Sequence, residues 1–276
     1  KNGANDHTYV AAELARLTGR PVRCALTRRE ENLAAGNRNS TIQRLTAAAR
    51  SDGTLVALVG EYVNATGWSG WSSSTDGPMR MLYDCENVRT VLYPAKINTP
   101  PMKAFRAPGF VEGTFGLECL LDELAAKLDL DPLEVRRLNY AHSIDERPYS
   151  SKNLMECYRR AEPHWQRRAE VRSRSDGPWK HGVGLASQVW YGGGGPPSTV
   201  IVRLFSDGSV NLNMGASDIG TGTKTVMALV VAEELGVKPE AIQIEHADTG
   251  TTQYATASGG SKTVPTESPA VRAAAI

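Results

Sequence analysis

Apolar positions along this chain follow two alternating rhythms, one near every third or fourth residue and one at every second. Residues 9–17 carry the helical rhythm, and Gly19 and Pro21 then supply stop signals. Residues 21–27 read as a short strand. Residues 41–65 read as two long strands joined at Ser51-Asp52-Gly53-Thr54, where Asp-Gly is a strong hairpin signal. The Gly-, Ser- and Trp-rich stretch 66–78 suits a surface loop or a partner contact, and 89–97 a further strand. Residues 110–128 hold a helical period through Phe115, Leu117, Leu121, Leu124 and Leu128. A second helix opens at Asp131-Pro132-Leu133-Glu134, with an Asp cap, proline at the first helical position and Glu where a capping box needs it.

Residues 152–179 read as a charged helix and then a polar, turn-rich linker at 172–178. That linker divides the chain into an expected first subdomain, 1–178, and a second, 179–276. Beyond it, 182–191 reads as a strand and 192–197 as a mobile loop. Residues 199–205 and 209–214 form a second hairpin through Asp207-Gly208. A helix at 222–235, stopped by Gly236, leads into a strand at 241–245. Ser268 and Pro269 suit the start of a last helix that nothing ends, which predicts further residues after Ile276. Long hairpins with covering helices predict an α+β fold of two mixed α/β subdomains rather than a doubly wound parallel sheet. No fixed-period repeat is visible.

Composition narrows the partners. Over 276 residues, Lys plus Arg is 31 and Asp plus Glu is 30. That balance argues against duplex nucleic acid or an anionic membrane held by bulk charge. No stretch approaches the ~18 uncharged apolar residues of a membrane span, and the polar amino terminus does not resemble a signal peptide. Cys24, Cys85, Cys119 and Cys157 lie far apart without a C-x-x-C pair. They read as reduced, mostly buried thiols rather than a disulfide framework or iron–sulfur ligands, which suits the cytoplasm, with the periplasm as the alternative.

Three segments offer chemistry. In Asp218-Ile219-Gly220-Thr221-Gly222-Thr223 the glycines permit a tight turn, the threonines add hydroxyls, and the helix that follows points its positive end and unpaired amides at the turn. Such a turn suits an anion; the plainer reading is a helix cap supplied by Asp218 or Thr221. The turn is not a dinucleotide fingerprint, because Thr225 stands where the third glycine belongs. Ala257-Ser258-Gly259-Gly260-Ser261-Lys262-Thr263 is a second small, hydroxyl-rich loop. It fails the Walker A pattern, since Ser261 separates Lys262 from the glycine. In Pro100 to Phe110, Arg106 sits in a Pro/Gly-stiffened loop before a long helix, where its planar fork suits a phosphate or oxo group. The histidines His7, His142, His164, His181 and His246 lack metal-ligand spacing, so no His-bound metal site is expected, and without a G-x-S-x-G elbow no Ser–His–Asp set is expected either.

Taken in order, these segments resemble the molybdenum-binding subunit of the xanthine dehydrogenase/aldehyde oxidase family. Ala104-Phe105-Arg106-Ala107-Pro108-Gly109 resembles the family's A-F-R-G/A-x-G segment. Residues 128–139, LDLDPLEVRRLN, closely match its recurrent LDPLELRRRN helix. Asp218 to Thr223 looks like the turn that holds the pterin and dinucleotide phosphates, and Gly259 to Thr263 like the later G-S-R/K-T loop. The resemblance implies a fold of the molybdenum hydroxylase cofactor-binding type, with a molybdenum–molybdopterin cofactor in its cytosine dinucleotide form. Gly220, Thr221, Gly222, Thr223, Gly259, Gly260, Ser261 and Thr263 would hold pterin and phosphates, and Arg106 the molybdenum end. Phe105, Pro108 and Phe110 would line the substrate path. It further implies oxidation of an aldehyde or N-heterocyclic (purine-like) substrate with water as oxygen source, and electrons leaving through iron–sulfur and FAD-bearing partners. Pro108 stands where xanthine-oxidising members place an aromatic residue, and Thr221 where many members carry Gln; the former tilts the substrate toward an aldehyde or another aromatic heterocycle. The family's glycine run would precede Lys1-Asn2-Gly3 and its catalytic Glu would follow Ile276. By that reading no catalytic residue lies in these 276 residues, and the chain alone would be inactive and carry little cofactor. The competing reading is a non-catalytic anion- or nucleotide-binding module built on the same loops.

Overall fold

The computed structural model describes residues 5–144, 147–149, 151–174, 177–190, 192–195 and 198–276. Lys1-Asn2-Gly3, Ser175 and Asp176 of the expected linker, and Pro196-Pro197 of the expected loop lie outside the described residues. In chain order the helices are α1 (Asp6–Thr18), α2 (Arg28–Glu30), α3 (Gly77–Met81), α4 (Phe110–Leu128), α5 (Pro132–Leu138), α6 (Leu154–Gln166), α7 (Arg168–Ser173), α8 (Thr223–Leu235) and α9 (Thr263–Ala275). The strands are β1 (Thr41–Ala49), β2 (Leu55–Ala65), β3 (Asn87–Ala95), β4 (Ser143–Ile144), β5 (Arg147–Pro148), β6 (Val200–Leu204), β7 (Val210–Met214) and β8 (Ile242–His246). The chain forms two compact units, one of Arg23–Trp190 and one of Tyr191–Ile276 joined by the segment that ends at Val22. By compactness the division therefore falls at 190/191 rather than at the linker, and α1 groups with the second unit.

Each unit is built on a three-stranded mixed sheet. In the first, β1 and β2 pair antiparallel and β3 joins parallel to β2. In the second, β6 and β7 pair antiparallel and β8 joins parallel to β7. Both hairpins turn on the expected Asp-Gly: Asp52 accepts from Thr54 N–H at 2.9 Å, and Asp207 from Ser209 N–H at 2.9 Å. The first core gathers Leu58 and Tyr62 of β2 with Met79 and Leu82 and with Leu117 and Leu121 of α4. The second gathers Val210, Leu212 and Met214 of β7 with Met227 and Val231 of α8 and Val271 of α9. α4 sits close because its glycines remove side-chain bulk. A Cβ on Gly113 would lie 1.9 Å from the Thr75 carbonyl, and one on Gly116 would lie 2.3 Å from Gln43 Oε1.

The LDPLEVRRLN segment turns out to be scaffold. Asp131 caps α5 by accepting from Leu133 N–H at 2.8 Å, and its carboxylate also takes Trp165 Nε1–H and Arg168. Leu133 enters a small core with Tyr158 and Trp165. Arg136, fully buried, pairs with Glu118 at 2.9 Å and with Asp122 at 2.8 Å. Glu118 in turn accepts from Tyr83 O–H and Ser187 N–H. Asn139 clamps the first hairpin: its Oδ1 accepts from Leu55 N–H, and its Nδ2 donates to the carbonyls of Gly53 and Val135.

Several expectations give way. Residues 21–27 and 182–190 form no strand. In the latter, the buried Ser187 spends its amide on the Glu118 carboxylate rather than on a ladder. The loop after β2 is partly inside, because Asn64 draws Ser73 and Thr75 into buried hydrogen bonds. The last helix begins at Thr263, so Ser268 and Pro269 lie within it instead of capping it. Cys24, Cys119 and Cys157 are exposed and Cys85 is half-buried, all as free thiols, so the expectation of mostly buried sulfur is wrong.

Candidate functional site

Two loops of the second unit meet where the sequence places its strongest signals. Ser258 Oγ donates to the Ser217 carbonyl at 3.1 Å and lies 3.4 Å from Ser217 Oγ, which ties the Gly259 loop to the Asp218 turn. Gly215 permits the close approach, since a Cβ there would lie 1.9 Å from the Gln253 carbonyl. Gly220, Gly222 and Gly260 all adopt left-handed φ, and among the described residues no atom lies within 4 Å of where each Cβ would stand. Ser261 adopts φ 55°, a conformation that costs a non-glycine residue about 1–2 kcal/mol. Thr221 and Thr223 place their hydroxyls 3.2 Å apart, Thr221 exposed and Thr223 buried.

The amides of this turn are already engaged. Asp218 Oδ1 accepts from the N–H groups of Gly220, Thr221 and Gly222 at 2.8, 3.1 and 3.3 Å, and Oδ2 from Lys224 N–H at 3.2 Å. These bonds, that of Gly220 foremost, hold the Asp218 carboxyl below its ordinary value. The expectation of unpaired amides awaiting an anion is thus corrected: the chain's own carboxylate caps α8. What remains open at this turn is glycine backbone and threonine hydroxyl, which suits close van der Waals approach and neutral hydrogen bonds. At the start of α9, the Lys262 side chain makes no capping hydrogen bond among the described residues.

The Arg106 loop belongs to the first unit. Arg106 and Ala107 have φ 27° and 52°, and Gly109 has φ 81° with its Cα pressed against the Ser74 backbone. The Arg106 side chain is exposed, as is Phe105 at 53%, while Pro108 is half-buried. Phe110 is only 2% exposed; its ring meets Trp190 edge-on at 5.0 Å and sits over Gly77. Phe110 is therefore a core residue, and a part for it in the substrate path could only be indirect. Sequence reasoning missed Arg38, whose guanidinium reaches three groups around this loop; nothing in Gly36-Asn37-Arg38-Asn39 announces that reach.

Among the described residues no group of three or more His, Cys, Asp or Glu could hold a metal ion, and no helix is long and apolar enough to cross a membrane.

A family model of the molybdopterin cofactor-binding domain matches residues 1–140, and a second such model matches residues 159–276. The chain is similar to aldehyde oxidase 1 of Oryctolagus cuniculus, 32% identical over 275 residues, covering 91% of this chain and 20% of that protein. It is also similar to the aldehyde oxidoreductase molybdenum-binding subunit PaoC of Escherichia coli, 32% identical over 245 residues, covering 87% of this chain and 33% of that protein. Its fold matches the aldehyde oxidoreductase of Desulfovibrio gigas with a TM-score of 0.83 at 27% identity, covering 99% of this chain and 32% of that one. The chain thus spans about a fifth to a third of the length of these relatives.

Proposed function

Because the chain belongs to the molybdopterin cofactor-binding family, we propose that it forms part of the cofactor cradle of a molybdenum hydroxylase. The observation that carries this is the pair of glycine loops tied through Ser217 and Ser258, whose open glycine faces leave room for a flat ligand. Gly220, Thr221, Gly222 and Thr223 on one loop, and Gly259, Gly260, Ser261 and Thr263 on the other, would hold the pterin and the phosphates of a cytosine dinucleotide. Asp218 restricts the share of the first loop: with four of its amides taken, phosphate contacts would fall to the Gly259 loop and the start of α9. Arg106 would meet the molybdenum end of the cofactor, and the exposed Phe105 and half-buried Pro108 would border the substrate path. Phe110 supports that border from the core.

When bound, the cofactor supplies two-electron oxidation of a carbon with water as the oxygen source. The residues named above would bind and orient it. An aldehyde is the favoured substrate class, since Pro108 offers no ring to stack on a purine and the similar proteins include aldehyde oxidases. Iron–sulfur and flavin-bearing partners would carry the electrons away.

Gly220→Ala and Gly260→Ala, made in the full-length protein, test the cradle. Neither Cβ meets an atom of the described residues within 4 Å, so each variant should fold at a cost of about 1–2 kcal/mol for its left-handed backbone. Pterin fluorescence and molybdenum content should fall severalfold in both. Full cofactor content in the pair would remove the loops from the cradle.

A further inference from the structure

Arg38 stands between two anchored residues. Asn37 bonds through its backbone to Pro101 and Lys103, at 3.0 and 2.9 Å. Asn39 is buried and bonds the Ala65 carbonyl and Ser73. Gly36, at φ 97°, brings this backbone against Pro101 so closely that a Cβ would lie 2.8 Å from its carbonyl oxygen. From that fixed base the guanidinium makes three contacts more than 65 residues away in sequence. Its Nη1 donates to Glu112 Oε2 at 3.1 Å, its Nη2 donates to the Arg106 carbonyl at 2.9 Å, and its Cζ lies over the Phe105 ring, 4.8 Å from the centroid. Glu112 lies in the first turn of α4, whose start is pinned by the close approach of Gly109 and Gly113 to the 74–75 backbone.

The turn so held is strained. Arg106 and Ala107 both have positive φ without being glycine, a conformation that persists only where surroundings over-determine it. We propose that Arg38 is the positioning residue of this turn. One planar fork fixes the Arg106 carbonyl and the Phe105 face together, and so sets the poses of the two side chains that the proposed function assigns to cofactor and substrate. The fork suits the task because two donors and an aromatic-stacking face leave one rigid group, which a lysine cannot supply. The assignment of Phe105 and Arg106 to ligands rests on the proposed function; the clamp itself rests on the three contacts.

Proteases bind the scissile segment extended, so a left-handed Arg106–Ala107 bond is protected until the turn opens, and cleavage tracks the open population. Arg38→Met in the full-length protein should speed tryptic cleavage between Arg106 and Ala107 by roughly tenfold or more. Arg44→Met, which removes an exposed pair with Glu61, should leave it unchanged. Should the lone Glu112 carboxylate destabilise Arg38→Met as a whole, the double variant Arg38→Met/Glu112→Gln removes that charge and should show the same local cleavage with an intact melting transition. In the cofactor-loaded enzyme, Arg38→Met should raise KM for a bulky aromatic aldehyde more than for a small aliphatic one, with kcat less affected. Unchanged cleavage after Arg106 in both Arg38 variants overturns the clamp, whatever the enzyme does. Faster cleavage in a protein that carries no cofactor keeps the clamp and removes the proposed function instead.

Discussion

Asp218 takes four amides of the turn that, read as sequence, seemed built to receive an anion. Its folded pKa is lowered by those donors, so the cap is fully formed above the unfolded carboxyl value and is lost as pH falls through the lower folded value. The exchange protection of the Gly220, Thr221, Gly222 and Lys224 amides, relative to their intrinsic rates, should therefore be high at neutral pH and be lost only in acid. Asp218→Ala should quicken their exchange by roughly tenfold at neutral pH, a local opening without global unfolding; unchanged exchange would show that the turn holds itself. At this scale the sequence was legible where chemistry is local. An Asp two to six residues before its amides can be read as a cap. Arg38 could not be read, because its partners lie 68 and 74 residues away and only the folded chain brings them within 3.1 Å.

Among the elements, α5 repays attention because its sequence carried the family resemblance while its side chains do structural work. Asn139→Ala would strand the Leu55 amide and the Gly53 carbonyl beneath the first hairpin, and should cost about 3 kcal/mol. Arg136→Met would leave Glu118 charged and buried, and should cost about 3–5 kcal/mol in thermal or denaturant unfolding of the first unit. Neither substitution touches the glycine loops, so cofactor content per folded chain should hold. Helices and hairpins were readable because caps, Asp-Gly turns and periodicity are local: α4 and both hairpins lie where the pattern put them. The strands expected at 21–27 and 182–191 failed because an extended apolar run becomes a strand only if another strand takes its hydrogen bonds. Ser187 found Glu118 instead.

Across the whole molecule, each unit repeats one plan: an antiparallel hairpin on an Asp-Gly turn, then a third strand parallel to the second. No fixed period in the sequence reveals this, because the crossover from β2 to β3 is mostly loop with the short α3, whereas that from β7 to β8 is the long α8. The α+β class and the family were nevertheless legible, since ordered motifs survive where periodicity does not. The two loops of the second unit, tied through Ser217 and Ser258, are the part of the proposed cradle that this chain supplies. The most direct measurement is the molybdenum and pterin content of the full-length protein, purified from a host that makes the cofactor. Molybdenum and pterin in equal amounts, near one of each per chain, are the predicted result. A correctly folded protein that carries neither would contradict the cradle.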